Sequence, residues 1–292
     1  MKMISRYNLN LIGLGEDIAW LAALDGAGLY FYNPGVETPY SDRNVYFIEH
    51  GRGLAMESVT VASAAGVDHL TYGETAHFEQ NRYPLLIAGM DPAGDIWFWD
   101  YVIAGQGAKS FTLHVPGVST AGDAVLTVAL QGATDTAADL DHQVSVSVNG
   151  QQVGEAAWSG ARAHVFKASF DAALLQAGAN TIAVSGSLAT GAPYSTFYVE
   201  SFDLAYPRFY TAENNVLICR ADGNAEISVG GITDQQVLAL DVSDPQRPLH
   251  LANVTADVSG RVIVGTMTKF SCSSAMRRNS TRKAASSGRW LA

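Results

Sequence analysis

The sequence predicts a mainly β protein whose centre is a β-sandwich, and three observations support this fold class. From Ser110 to Leu204, hydrophobic and polar residues alternate with a period of two, as expected for strands that bury one face. Turn residues interrupt the alternation at roughly ten-residue intervals, the spacing typical of all-β sandwiches. The chain is also rich in Gly, Ala, Val, Ser and Thr, with only 16% charged residues, against about 25% in typical domains.

For residues 1–94, the sequence predicts a smaller, irregular α+β part. Ile18–Leu24 and Glu74–Asn81 are predicted as short helices, because each is followed by residues that end a helix. Leu29–Tyr32 and Asn44–Ile48 are β-rich and are predicted as strands.

The predicted sandwich occupies residues 95–207. Within it, Asn149-Gly150 is the strongest hairpin signal, because this dipeptide fits the two-residue turns that join antiparallel strands. The predicted strands are Phe111–Val115, Val125–Leu130, Gln143–Val148, Val153–Trp158, His164–Phe170, Asn180–Val184 and Phe197–Leu204.

Two further segments follow the sandwich. Residues 208–266 predict a short β segment with strands at Val216–Cys219, Glu226–Val229 and Gln236–Val242. Residues 267–292 carry six bases and no acid. Because this tail has neither an amphipathic period nor interleaved aromatic residues, it is predicted to be disordered.

Charge and cysteine content exclude several classes of protein. Residues 1–266 contain all 28 acidic residues and 12 of the 18 basic ones, a formal charge of −16, which argues against nucleic acid as a partner. Cys219 and Cys272 form no disulfide framework or zinc motif. No convincing signal peptide is visible, and no apolar stretch is long enough to predict membrane insertion.

Six motifs follow one another along the chain: Ser41–Phe47, Trp97–Asp100, Gln131–Gly160, Leu174–Val184, Phe197–Arg208 and Val242–Pro245. Their order resembles the region that precedes the catalytic domain in bacterial gingipain-like cysteine peptidases (family C25, clan CD). The likeness covers about residues 29–260, and no single motif would suffice alone.

This resemblance implies a jelly-roll sandwich similar to galactose-binding-like, carbohydrate-binding modules, in a secreted or surface-exposed parent protein. It implies no catalytic residue here, because the peptidase domain with its paired His and Cys would lie in a longer parent protein. The expected role is a non-catalytic accessory region that binds glycan or protein surfaces. A purely structural, prodomain-like module and a carbohydrate or ester hydrolase remain alternatives.

Four aromatic residues are the candidate ligand-binding set. Trp97 and Trp99 would share one face of an alternating strand. They could form a flat platform for a sugar ring, or they could anchor the core. Trp158 follows the predicted hairpin and Tyr194 lies in a loop, where binding groups of rigid sandwiches often occur.

An acidic loop is the candidate metal site. Asp135, Asp139 and Asp141 precede the strand that starts near His142, and carboxylates at such spacing could hold a structural Ca²⁺. Capping of strands is the competing interpretation of the same residues.

The sequence identifies no catalytic residue. Carboxylates for glycoside hydrolysis would need to face each other across a cleft, and the pattern does not place Asp100, Asp139, Asp141 and Glu155 in that way. The nucleophile elbow of ester hydrolases is missing, because Trp158-Ser159-Gly160 lacks the first glycine.

Overall fold

The computed structural model of the chain describes residues 9–13, 15–23, 28–35, 43–61, 70–87, 90, 95–224, 226–233, 236–257 and 260–265, and the backbone of 273–277. These residues form twenty-three strands and one short 3-10 helix, with no α-helix. The fold is therefore mainly β, as predicted. None of the described residues belongs to a helix that could cross a membrane.

Contacts within the chain define two compact units. One unit comprises Gly73–Phe209, and the other joins Met1–Tyr72 with Tyr210–Ala292. In chain order, strands β1 to β6 are Asn10–Gly13, Glu16–Asp17, Trp20–Ala22, Leu29–Phe31, Tyr46–Glu49 and Glu57–Val59.

The Gly73–Phe209 unit contains the longest strands. In chain order, strands β7 to β17 are Thr71–Glu79, Tyr83–Pro84, Trp97–Phe98, Asp100–Ile103, Lys109–Val115, Asp123–Gly132, His142–Val148, Gln151–Trp158, Ala163–Asp171, Gly178–Leu188 and Thr196–Phe209. The 3-10 helix Ala172–Leu174 lies between β15 and β16.

The remaining strands are short. In chain order, strands β18 to β23 are Leu217–Arg220, Glu226–Val229, Leu238–Asp241, Leu249–Leu251, Val262–Gly265 and Ser273–Arg277. Strand β23 lies in the basic tail, at residues that the sequence predicts to be disordered. The other tail residues, including Cys272, lie outside the described residues.

Strands β10 to β17 form two four-stranded antiparallel sheets. One sheet has the order β10-β17-β12-β15, with β7 also paired to β17, and the other has the order β11-β16-β13-β14. If the eight strands are counted from β10, these orders are 1-8-3-6 and 2-7-4-5. Each sheet therefore joins strands that are distant in the sequence, and the β-sandwich predicted for this part of the chain is present.

The core of this unit forms where alternate side chains of the two sheets meet. Leu126, Val128 and Leu130 of β12 are buried. Val144, Val146 and Val148 of β13 and Phe197, Val199, Phe202 and Leu204 of β17 belong to the same hydrophobic cluster. This period-two burial is the pattern that the sequence displays.

The predicted hairpin at Asn149-Gly150 is also present. Both residues have positive φ angles, 49° and 87°, as a type I′ turn requires. The Asn149 side chain donates to the Leu174 carbonyl at 2.9 Å and to Asn180 Oδ1 at 2.8 Å. These bonds join the turn to the end of the 3-10 helix and to β16.

The Met1–Tyr72 and Tyr210–Ala292 unit consists of small sheets. Their orders are β2-β1-β5, β3-β4, β19-β22 and β18-β23-β20-β21-β6, and β6 joins β21 in parallel. Separate apolar clusters stabilise them. Leu11 and Trp20 belong to one, Leu240 to another, and Ile227 and Val262 to a third.

The α+β character predicted for residues 1–94 is wrong, because the described residues there form strands and coil. Trp20–Ala22 pairs with Leu29–Phe31 where a helix over Ile18–Leu24 was expected. The predicted helix Glu74–Asn81 is largely strand β7. Its Ala76 and Phe78 pack on the sandwich core. These residues alternate with polar ones, which is the period of two of a strand and not the period of a helix.

The two units also group the chain differently from the four segments in the sequence prediction. The predicted sandwich, 95–207, lies inside the unit Gly73–Phe209, which also includes most of β7 and all of β8. Residues before Tyr72 and after Tyr210 belong to one unit. Long-range strand pairing such as β6 with β21 causes this grouping, and local sequence patterns do not encode it.

Truncation of a core leucine is expected to destabilise the sandwich strongly. Leu126→Ala removes a side chain with no solvent exposure and should lower the free energy of unfolding by about 2–5 kcal/mol. Urea unfolding followed by fluorescence would measure the change. Leu188→Ala is the matched control, since Leu188 is 49% exposed, and equal losses in both variants would contradict the assigned core.

Candidate functional site

The two tryptophans of the predicted platform lie in different environments. Trp99 follows β9 at a bend, is 6% exposed, and packs edge-on against Phe111 and Phe202 in the core. Trp97 lies in the short pair β8–β9 and is half-buried. The bend between β9 and β10 breaks the alternation that would have placed both indoles on one face, so the two rings do not form a joint platform.

Trp158 is also buried, at the end of the sandwich. Its ring is stacked between His142 and His164, with centroids 4.6 Å away on both sides. Tyr194 is 56% exposed in the loop before β17. Of the four predicted ligand-binding residues, Tyr194 and Trp97 therefore offer exposed ring surface, while Trp99 and Trp158 contribute to packing.

The predicted metal site is not assembled as a cluster. Asp135 and Asp139 are exposed, whereas Asp141 is buried and accepts hydrogen bonds from Thr136 and from the Gly160 backbone at 2.6 Å. These bonds outweigh the effect of burial and lower the pKa of Asp141. Among the described residues, no group of three or more His, Cys, Asp or Glu side chains could hold a metal ion.

A buried Ser–His pair lies beside Asp141. His142 Nε2 is 3.1 Å from the Thr134 carbonyl, which can only accept, so Nε2 donates and Nδ1 accepts from the Ser195 hydroxyl at 2.9 Å. Burial lowers the pKa of His142, which favours the neutral ring. Because Ser195 is 1% exposed, the arrangement links loops and does not present a nucleophile to a substrate.

The four carboxylates considered for glycoside hydrolysis are also dispersed. Asp100 of β10 forms an ion pair with Lys109 at 3.2 Å, and Glu155 lies on β14, in the other sheet. Asp139 and Asp141 lie in the loop before β13.

A different group of side chains lies on the outer face of the sheet that contains β17. Tyr101 and Tyr198 are paired in register across β10 and β17, with ring centroids 6.0 Å apart. Tyr83 packs edge-on against Tyr101 at 5.6 Å and is 42% exposed. Lys109 places its ammonium 4.7 Å from the centre of the Tyr101 ring.

Acidic residues continue this face along β17 and β7. His77 lies between two carboxylates, with Nδ1 2.7 Å from Asp203 and Nε2 3.3 Å from Glu79. Glu200 lies two residues after Tyr198, at a β-bulge of β17 opposite Ala129 and Leu130. Its carboxyl group is close enough to Glu79 and His77 to interact with their charges. We define the tyrosine–carboxylate face as Tyr83, Tyr101, Tyr198, His77, Glu79, Glu200 and Asp203.

The electrostatic environment differs between the two ionisable groups at the centre of this face. Partial burial lowers the pKa of His77, but its hydrogen bonds to Asp203 and Glu79 outweigh that effect and raise the pKa overall. Burial raises the pKa of Glu200, and repulsion from Asp95 and Glu79 adds to it. Negative charge is therefore concentrated beside the tyrosine rings.

The sequence interpretation did not identify this face, although part of the signal was present. The alternation in Thr71–Glu79 places Thr75, His77 and Glu79 on one side of a strand, but the segment was predicted to be a helix. Strands β7 and β10 lie beside β17 only in the folded structure, because each of them precedes β17 by about a hundred residues in the chain. No local pattern could show it.

Comparisons with known proteins found matches among solved structures and none among family models or curated proteins. Among solved structures, the chain is similar to part of dimeric latent PorU from Porphyromonas gingivalis, with a TM-score of 0.62 and 11% identity. The match covers 89% of this chain and 25% of that one, so this chain spans about a quarter of PorU.

A second match is much weaker. The CBM36-1 domain of a multidomain xylanase, from the hindgut metagenome of Trinervitermes trinervoides, aligns with a TM-score of 0.28 and 12% identity. That alignment covers 46% of this chain and 96% of the other. A TM-score at this level does not establish a shared fold.

The histidine stack predicts a pH dependence of stability. Burial lowers the pKa of His164 in the folded protein below its ordinary value of about 6.5. The unfolded chain then binds the proton more readily, so the contribution of His164 is complete above about pH 6.5 and declines as the pH falls. His164→Phe keeps a ring against Trp158 and should therefore reduce the loss of stability between about pH 6.5 and pH 5.

Urea unfolding of the full chain at several pH values would measure this loss. His114→Phe provides a control, because His114 lies on β11, away from the stack. A decline with pH that is the same in His164→Phe and in the unmodified chain would contradict the assignment.

Proposed function

We propose that this chain is a non-catalytic accessory region of a secreted or surface-exposed gingipain-like peptidase, and that its sandwich binds glycan through the tyrosine–carboxylate face. The observation that carries the binding role is that partly exposed tyrosine rings share the outer face of one sheet with hydrogen-bonding carboxylates. Flat apolar rings suit the C–H faces of sugars, and carboxylates can accept hydrogen bonds from hydroxyl groups.

Two further observations support this placement. The similarity to part of PorU, a gingipain-like peptidase, agrees with the resemblance in the order of sequence motifs. The strand orders 1-8-3-6 and 2-7-4-5 are those of a jelly roll, with two interlocked Greek keys. A jelly roll of the galactose-binding-like kind is therefore part of the proposal, and the peptidase domain of the parent protein is the proposed covalent neighbour.

The proposed location of the site differs from the one expected from the sequence. Trp99 and Trp158 have their rings in the core, so they would act by holding the sandwich and not by touching ligand. Trp97 remains a candidate for direct contact. Tyr194 lies in the loop before β17, whereas Tyr83 and Tyr101 lie on the outer sheet face.

A purely structural module is the second candidate function. The burial of Trp99 and Trp158 favours it, because two of the three candidate tryptophans then serve packing. In that case the sandwich would support the peptidase domain of the parent protein, and no free glycan would bind.

Binding is tested by a glycan array followed by calorimetric titration of the full chain. Tyr83→Ala should weaken binding of the selected glycan by about two- to twelvefold, because removal of one stacked ring costs about 0.5–1.5 kcal/mol. Tyr194→Ala, at a similarly exposed tyrosine, should leave the affinity unchanged. Circular dichroism would check that both variants remain folded.

Three outcomes would count against this proposal. Absence of any glycan ligand would favour the structural module. Weaker binding by Tyr194→Ala but not by Tyr83→Ala would move the site to the loops. Unchanged binding by both variants would exclude either tyrosine as the contact.

A further inference from the structure

The tyrosine–carboxylate face has an unbalanced charge. Glu79, Glu200 and Asp203 carry three negative charges, against one positive charge when His77 is protonated. Asp95 adds to the repulsion felt by Glu200. Lys109 is the nearby cation on the tyrosine side of the face, but its charge is already paired with Asp100 at 3.2 Å.

Lys109 also shows which kind of group the tyrosine rings can accommodate. Its ammonium contacts a carboxylate and at the same time lies 4.7 Å from the centre of the Tyr101 ring. An ammonium held between a carboxylate and a ring face combines charge pairing with cation–π attraction. Glu200 and Tyr198, which are two residues apart on β17, offer the same two kinds of group.

A metal ion does not fit this face. Within the part of the chain that the structure describes, no three acidic, histidine or cysteine side chains are placed to hold one ion. Glu79 on β7 and Glu200 and Asp203 on β17 distribute negative charge over two neighbouring strands, which is better matched by a ligand whose positive charges are also spread out. An oligosaccharide with one ammonium group on each ring has that distribution, and its rings still present C–H faces to the tyrosines.

We propose that the tyrosine–carboxylate face selects glycans that carry protonated amino groups, with oligomers of glucosamine as the ligand class. The amino groups pair with Glu200, Glu79 and Asp203, and the sugar rings lie against Tyr101 and Tyr83. This inference rests on the proposed glycan-binding function and specifies the charge of its ligand. His77 acts as an internal competitor, because its protonated ring already neutralises part of the same carboxylate group.

The test compares two ligands that differ in charge but share a backbone. The full chain is titrated calorimetrically with a glucosamine oligomer and with the N-acetylglucosamine oligomer of equal length, at about pH 6 and low salt. The charged oligomer should bind at least about tenfold more tightly, and the difference should shrink as salt is added. An oligolysine of equal charge is the third ligand and should bind more weakly than the amino sugar.

Two substitutions on the face should change the affinity for the glucosamine oligomer in opposite directions. Glu200→Gln should weaken binding of the glucosamine oligomer by about fivefold, since it removes one half-buried charge partner. His77→Gln should strengthen binding, because it removes a competing positive charge at a pH below the raised pKa of His77. Glu155→Gln makes the same charge change on the exposed side of β14 and should have no effect.

The results that would contradict charge selectivity differ from those that would contradict glycan binding itself. Binding of the neutral oligomer with equal affinity, or the same effect of Glu155→Gln and Glu200→Gln, would overturn the charge selectivity while leaving the glycan-binding function in place. Equal or tighter binding of oligolysine would overturn sugar recognition in favour of charge alone. If neither oligomer binds and the glycan array is negative, the proposed function itself fails.

Discussion

The burial of alternate side chains between two four-stranded sheets is the constraint on which the other features of the Gly73–Phe209 unit depend. Fully buried residues such as Leu126, Val146 and Phe202 point inward from different strands. A shift of one strand by one residue would turn its apolar side outward, so burial fixes the register as well as the layer spacing. Outside the β-bulges of β14 and β17, the paired residues of these strands therefore have defined neighbours across the sheet.

That fixed register creates the tyrosine–carboxylate face. Tyr101 lies beside Tyr198 because Val102 must meet Phe197 on the buried side. Likewise, the outward residues of β7 reach β17 because Ala76 and Phe78 pack on the core. The candidate site is thus positioned by hydrophobic packing on the opposite face of the same strands. Rigid placement of this kind limits the entropy lost when a ligand binds.

The loop end of the sandwich uses polar groups for a structural purpose. Asp141 closes its loop by accepting from Thr136 and Gly160, and His142 joins Ser195 to the Thr134 carbonyl. Gly132 allows these groups to approach, because a Cβ there would lie 2.4 Å from the Gly160 carbonyl oxygen. Ser195, His142 and Asp141 thus serve to connect loops, since burial keeps substrate away from them.

The sequence by itself determined the mainly β class, the sandwich in the middle of the chain and the hairpin at Asn149-Gly150, because alternation and turn chemistry are local properties. It did not determine which aromatic residues face solvent. Trp97 and Trp99 are two residues apart, so strand alternation predicts that they share one face. The bend after β9 instead places the Trp99 ring in the core. Only the tertiary structure decided that His77, Glu200 and Tyr101 share one surface, because the pairing of β7 and β10 with β17 depends on contacts between residues far apart in the chain.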